Sequence, residues 1–230
     1  MPRYRFLLLD ADRTLFDFDA AQQQALTEVL EARGLPAGPQ ALAAYRLENQ
    51  RLWDLFEQGG ITKEELLRRR FPDFLRRLGL PETGAEELNR GYLQGLGSRC
   101  IPMPGAEEVC RLLAQHCKLY IVTNGISAVQ RGRMARCTFR DCFGGVFVSE
   151  ELGCQKPQPE YFRQVARRIP GFDPAGALVV GDSLTSDIAG ANAAGLESCW
   201  YNPAGLPLPA GLRCRFQISS LSQLPGLVLD

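Results

Sequence analysis

The sequence predicts an α/β protein, a parallel-sheet core with an all-helical domain inserted after the first strand. Two observations predict the core and a third predicts the insertion. Short, almost wholly apolar runs of Leu, Ile and Val recur at residues 5–9, 118–122 and 177–180, the pattern of strands buried on both faces of a parallel sheet. Stretches of helical periodicity separate the later runs, and such alternation is the mark of a layered α/β domain. Residues 16–98 break that rhythm, with helical patterns and no convincing strand.

Along the chain, the first strand at 5–9 stops at Asp10. The insertion then carries helices at 19–33, 39–58, 62–78 and 86–96, punctuated by Gly34-Leu35-Pro36, Gly59-Gly60 and Gly79-Leu80-Pro81 as helix stops. Thr62 and Glu65 have the spacing of a capping box opening the third helix. Helices at 106–114, 129–136, 159–168 and 185–194 follow, interleaved with strands at 118–122, 146–148, 177–180 and 198–201. The Pro/Gly-rich segment 203–209 reads as loop. The expected division is a core of residues 1–15 and 99–230 and a helical domain of 16–98.

Composition excludes several function classes. The 230 residues are 45% apolar, enough for a sizeable core, and 26 basic residues balance 26 acidic ones. A neutral chain offers no bulk-charge attraction for a nucleic-acid polymer or a membrane surface. The basic clusters Arg68-Arg69-Arg70, Arg76-Arg77 and Arg167-Arg168 read as solvated helix faces. No apolar run approaches the ~18 residues of a membrane span. The apolar run at Phe6-Leu7-Leu8-Leu9 is too short for a secretory signal. The eight Cys form no C-x-x-C pair, and Cys137 and Cys142, five apart, have no His beside them, so the cysteines are expected to be reduced thiols of a cytoplasmic protein rather than zinc ligands or disulfides. The single histidine, His116, follows a helix, where a structural role is expected, so His-based nucleophilic catalysis is set aside.

The polar residues fall where the strands end. Asp10-Ala11-Asp12-Arg13-Thr14 ends the first strand, Thr123-Asn124-Gly125 the second, and Gly181-Asp182-Ser183 the fourth, with Asp187 shortly after. In an open parallel sheet the carboxyl ends of the strands share one edge, and ligands bind there. Asp10, Asp12, Asp182 and Asp187 would crowd carboxylates into one crevice, which repels itself unless a cation is present. Oxygen ligands without His or Cys favour Mg²⁺, and Mg²⁺ amid carboxylates suits a phosphate substrate. Thr123 and the backbone N–H groups of its turn are placed to hold phosphate oxygens. Lys156, ahead of Pro157, is the candidate for neutralising a transferring phosphoryl group.

These motifs, in this order, resemble the haloacid dehalogenase superfamily of phosphatases. The Asp-x-Asp-x-Thr motif falls on Asp10, Asp12 and Thr14, the hydroxyl motif on Thr123, the loop lysine on Lys156, and the last motif on Gly181-Asp182-Ser183 through Asp187. Thr14-Leu15-Phe16-Asp17-Phe18, Val148-Ser149-Glu150-Glu151-Leu152-Gly153 and Cys199-Trp200-Tyr201-Asn202-Pro203 are similar to the noncanonical pyrimidine nucleotidases of that superfamily. Arg13 departs from the Asn usual there. The resemblance implies a Rossmann-like core with strand order 3-2-1-4-5 and a helical cap. It implies that Asp10 is the nucleophile, that Asp12 is the acid and base, and that Asp10, the main-chain carbonyl of Asp12 and Asp182 hold Mg²⁺. Thr123, Asn124 and Lys156 would then bind the phosphoryl group, with Thr14, Ser183 and Asp187 in support. The implied activity is hydrolysis of a small phosphomonoester, a pyrimidine nucleoside 5′-monophosphate.

Two other readings stand beside it. A phosphatase for sugar phosphates or phosphoglycolate has the same core, and substrate choice then falls to the cap, where aromatics such as Phe16, Phe18, Trp53 and Phe56 are candidates to stack on a base. A phosphate-sensing module without turnover also combines an acidic cluster, a Thr and a Lys, but its acceptor Asp follows a later strand.

Overall fold

The computed structural model describes residues 2–229. The strands are β1 (Phe6–Leu9), β2 (Lys118–Thr123), β3 (Phe143–Val148), β4 (Ala177–Gly181), β5 (Glu197–Tyr201) and β6 (Phe216–Ile218). The α-helices are α1 (Phe18–Glu31), α2 (Pro39–Glu57), α3 (Lys63–Arg77), α4 (Ala85–Gly97), α5 (Ala106–Leu113), α6 (Ser127–Met134), α7 (Ser149–Leu152), α8 (Pro159–Arg168), α9 (Ala189–Ala194) and α10 (Leu224–Val228).

The sheet runs β3-β2-β1-β4-β5-β6, and every pair is parallel. The order extends the expected 3-2-1-4-5 by one edge strand. That strand is three residues long and flanked by polar residues, so it carries no apolar run; pairing with β5 creates it. β3 also begins three residues before its expected start, because Gly144 and Gly145 hide the strand in the sequence. A Cβ on Gly144 would lie 2.9 Å from the Tyr120 ring of β2.

Side chains alternate across the sheet as a strand requires. Leu7 and Leu9 of β1 join Ile121, Leu178 and Val180 on one face, packed with Leu113 of α5 and Val228 of α10. Phe6 and Leu8 join Val122 and Val179 on the other, packed with Phe162 and Val165 of α8. Burying each such side chain is worth ~1.5–3 kcal/mol. The register matters more for function. Leu9 lies opposite Ile121 on one side and Val180 on the other, so the residues that follow these strands emerge along one edge.

The chain divides into two compact units, one comprising the residues up to Phe18 and from Cys100 onward, the other Asp19–Arg99. The second unit holds α2, α3, α4 and nearly all of α1. Tyr45, Phe71, Phe74 and Tyr92 pack in its centre with ring centroids 5.2 to 6.2 Å apart. α3 opens with the anticipated capping box, Glu65 N donating to Thr62 Oγ1 and Thr62 N to Glu65 Oε2. One basic cluster is not wholly a solvated face. Arg70 is buried among the aromatics, its guanidinium 4.8 Å from the Tyr92 ring and 2.6 Å from Asn89 Oδ1, because helical periodicity carries it to the apolar side of α3. Trp53 and Phe56 pack edge-to-face on each other in a small cluster with Leu52 and Leu66. Phe16 is buried in the first unit against Phe139, which takes it out of the set of rings free to stack on a base.

No helix among the described residues is long and apolar enough to cross a membrane. All eight cysteines are free thiols, and His116 lies exposed just after α5.

Candidate active site

Asp10 follows β1 directly. Its N–H donates to Val180 O of β4, which continues the ladder by one residue and fixes the start of the loop. The chain turns sharply after Asp12. Arg13 adopts a left-handed backbone with φ 63°, and its N–H bonds back to Phe16 O. That conformation suits Gly or Asn better than a bulky residue.

Lys156, from the loop between α7 and α8, is the centre of the site. Its ammonium is fully buried and makes three bonds, to Asp10 Oδ1 at 2.6 Å, Asp187 Oδ1 at 2.6 Å and Val122 O at 3.0 Å. All three ammonium protons are thereby used. Its backbone is gripped by Asn124, whose side-chain amide donates to Lys156 O at 2.8 Å and accepts from Lys156 N at 3.0 Å. The Asn124 side chain thus holds the lysine loop. Thr123, also buried, accepts from Gly125 N at 2.9 Å and keeps its hydroxyl proton free of that bond.

Asp182 follows β4. Its N–H donates to Thr14 Oγ1 at 3.1 Å and its main-chain oxygen accepts from Trp200 Nε1 at 2.9 Å. Ser183 caps a π-helical turn at Leu184–Ile188 that precedes α9. Its side chain accepts from Ser186 N, and its own N–H donates to Asp187 Oδ2 at 3.1 Å. Gly181 makes room for this arrangement, since a Cβ there would lie 2.2 Å from Asp187 Oδ2.

Carboxylate oxygens of Asp10, Asp182 and Asp187 lie within 4.8 Å of one another. The side chain of Asp12 is engaged elsewhere. Gln130 Nε2 donates to its Oδ2 at 2.7 Å and Arg133 Nη1 to its Oδ1 at 2.5 Å, both from α6. Gln130 and Arg133 are not among the residues that the sequence pattern singles out. The available signal is their i, i+3 spacing, which puts two polar residues on the buried face of a helix beside Val129.

Electrostatics single out a cation site. Burial pushes the Asp10 carboxyl well above the usual carboxylate range; Lys156 pulls it back, and Asp187 and Asp182 push it up further. Burial, then repulsion from Asp187, pushes Asp182 up to about 7 against the pull of Arg13 and Lys156. Burial works to lower the Lys156 pKa, but Asp10 and Asp187 outweigh it and the net shift is upward. One ammonium faces three carboxylates, so the cluster is short of positive charge. Oxygen donors in this number, with no His or Cys among them, fit a hard divalent cation of the Mg²⁺ type.

The family model of haloacid dehalogenase-like hydrolases matches residues 4–195 of this chain. The chain is 40% identical over 226 residues to the HAD-hydrolase YfnB of Bacillus subtilis (strain 168), across 97% of this chain and 95% of that protein. It is 37% identical over 223 residues to the pyrimidine 5′-nucleotidase PynA of Streptococcus pneumoniae, covering 96% and 93% of the two chains. It is 32% identical over 226 residues to the pyrimidine 5′-nucleotidase YjjG of Escherichia coli (strain K12), covering 98% of each. The magnesium-bound crystal structure of YfnB matches the fold with a TM-score of 0.92 at 38% identity over 98% of both chains.

Proposed function

The chain belongs to the haloacid dehalogenase-like hydrolases, and from that premise we propose that it is a Mg²⁺-dependent phosphomonoesterase that forms an aspartyl-phosphate on Asp10 and acts on pyrimidine nucleoside 5′-monophosphates. The observation that carries the chemistry is the buried Lys156 ammonium held between Asp10 and Asp187 beside Asp182. The names of two long-matching relatives favour the pyrimidine substrate.

In this reading Asp10, the main-chain carbonyl of Asp12 and Asp182 hold the Mg²⁺. When bound, it neutralises charge on the phosphoryl oxygens and on the carboxylates that hold it. Lys156 fixes Asp10 through Oδ1, which leaves Oδ2 to attack phosphorus. As the Asp10 oxygen–phosphorus bond forms, the bond from phosphorus to the ester oxygen breaks, and Asp12 gives its proton to that departing oxygen. In the second half, Asp12 takes a proton from water. The water oxygen bonds to phosphorus, the acyl-phosphate bond breaks, and Asp10 is regenerated. The balance is one ester and one water to one alcohol and one phosphate. Thr123 donates its hydroxyl to a phosphoryl oxygen, and main-chain N–H groups of the 123–125 turn add to that hold. Asn124 positions Lys156 through its backbone. Thr14 holds Asp182, and Asp187, itself held by the Ser183 N–H, holds the lysine from the other side. Residues 19–99 are read as the cap domain. Eight free thiols suit a reducing compartment, so the cytoplasm is the proposed location.

The test is a panel of pyrimidine and purine nucleoside monophosphates and sugar phosphates, assayed for phosphate release with Mg²⁺ and with EDTA. Release from the pyrimidine nucleotides that stops in EDTA supports the reading; activity confined to sugar phosphates overturns the substrate assignment. Asp10→Asn should abolish turnover while melting as a folded protein. Substantial residual activity in that variant overturns the nucleophile.

A further inference from the structure

Asp12 is held differently from every other carboxylate of the site. Each of its oxygens accepts from a separate α6 side chain, Gln130 at 2.7 Å and Arg133 at 2.5 Å. Both donors are only 1% exposed. Arg133 lies 5.1 Å from the Phe16 ring, and its Nε and second terminal nitrogen have no hydrogen-bond partner among the described residues. A buried guanidinium with two unsatisfied nitrogens is a poor choice for stability, where an apolar residue of similar volume does as well or better. Its hydrogen bond outside α6 goes to Asp12.

Gly125 supplies an independent observation. A Cβ at Gly125 would lie 2.3 Å from Gln130 Nε2 and 3.1 Å from its Cδ and Cγ. The third residue of Thr123-Asn124-Gly125 lacks a side chain where Gln130 crosses it on the way to Asp12. The turn that carries Thr123 and the path of Gln130 are therefore built to fit one another.

We infer that Gln130 and Arg133 are positioning residues that orient the carboxyl of Asp12 for its acid and base work, a role that rests on the phosphatase reading above. Each Asp12 oxygen has two lone pairs and spends one on an α6 donor. The other remains for proton exchange, and the Asp12 side chain keeps 26% exposure through which leaving group and water reach it. A carboxyl free to rotate loses the alignment on which such proton transfer depends.

The demand for a proton depends on the leaving group, which gives the test. p-Nitrophenolate departs without protonation; phenolate, from phenyl phosphate, gains far more from an acid. Gln130→Met and Arg133→Met keep the bulk and remove the donors. With Mg²⁺, each variant should lose roughly 10²-fold in kcat on phenyl phosphate, the lower end of what general acid catalysis supplies, with KM little changed. The pre-steady-state burst of p-nitrophenol should keep its wild-type rate, because that phase needs no acid. Arg133→Lys, which keeps a donor, should recover part of the loss on phenyl phosphate and serves as the readout if a Met variant does not fold. In an Asp12→Asn background neither Met substitution should cost anything more. A p-nitrophenol burst slowed as much as the turnover of phenyl phosphate, or a full further loss in the Asp12→Asn background, overturns the inference. A wild-type protein that releases phosphate from neither ester with Mg²⁺ overturns the phosphatase reading instead.

Discussion

Lys156 Nζ donates to Asp10 Oδ1 across 2.6 Å, although 146 residues separate the two along the chain. The same ammonium reaches Asp187 at an equal distance, so one buried cation ties together the ends of β1 and β4 and the lysine loop. Removing one member of a buried ion pair leaves uncompensated charge at a cost of about 3–5 kcal/mol. Lys156→Met should show a destabilisation of that size in urea melts run in EDTA, together with loss of turnover. An unchanged midpoint would mean that the carboxylates find another partner.

Metal binding should be linked to protons. Asp182 is pushed up to about 7 and Asp10 is raised as well, both first by burial. For an acid raised in the folded state, the metal-free protein holds protons that the unfolded chain has released. The stabilising contribution is therefore full below the ordinary carboxylate range near pH 4 and is lost as pH rises through about 7. A bound cation favours the charged carboxylates instead. Scanning calorimetry should find that the rise in Tm on adding Mg²⁺ grows between about pH 5 and pH 8. A rise that is flat with pH would exclude the linkage.

Gly181→Ala should injure both fold and site. The new methyl would meet Asp187 Oδ2 at 2.2 Å and Cγ at 2.3 Å, and Asp187 is held from the other side by Lys156 and Ser183. Overpacking of this kind costs about 1–3 kcal/mol. Thermal melts in EDTA and a fall in kcat measure the two effects. Wild-type values in both would show that Asp187 can move aside without consequence.

Arg13→Asn should stabilise the protein. Arg13 sits at φ 63°, where a residue with a Cβ and long side chain is strained by about 1–2 kcal/mol and Asn is better tolerated. Denaturant unfolding at pH 8 should show a gain of up to about 1 kcal/mol. The same change removes a guanidinium that holds the Asp182 pKa down, so tight Mg²⁺ binding should begin at a slightly higher pH. A loss of stability would mean that contacts of the Arg13 side chain outweigh its backbone strain.

Much of the fold was legible locally. β1, β2 and β4 are buried on both faces, so each announces itself as an apolar run, and each ends abruptly in polar residues that serve the site. The Thr62 cap was legible for the same reason, since its bonds span only three residues. What the local pattern hides depends on partners far along the chain. β6 exists because β5 lies beside it, and Gly144 and Gly145 are strand residues because Tyr120 covers them. Arg70 is indistinguishable from its basic neighbours until α3 packs against the Tyr92 ring.

The chain by itself determined the buried strands β1, β2 and β4, the position of the helical insertion, and the presence of Asp10, Asp12, Thr123, Lys156, Asp182 and Asp187 at strand ends and loops, because hydrophobic periodicity and the polar residues that interrupt it are local properties. Only the tertiary structure decided how those carboxylates are shared. Strand order and register bring Asp10, Asp182 and Asp187 together around Lys156, and they carry Asp12 to Gln130 and Arg133, 118 and 121 residues away. Electrostatic pairing falls off within a few ångströms, so it is set by distance in space rather than along the sequence.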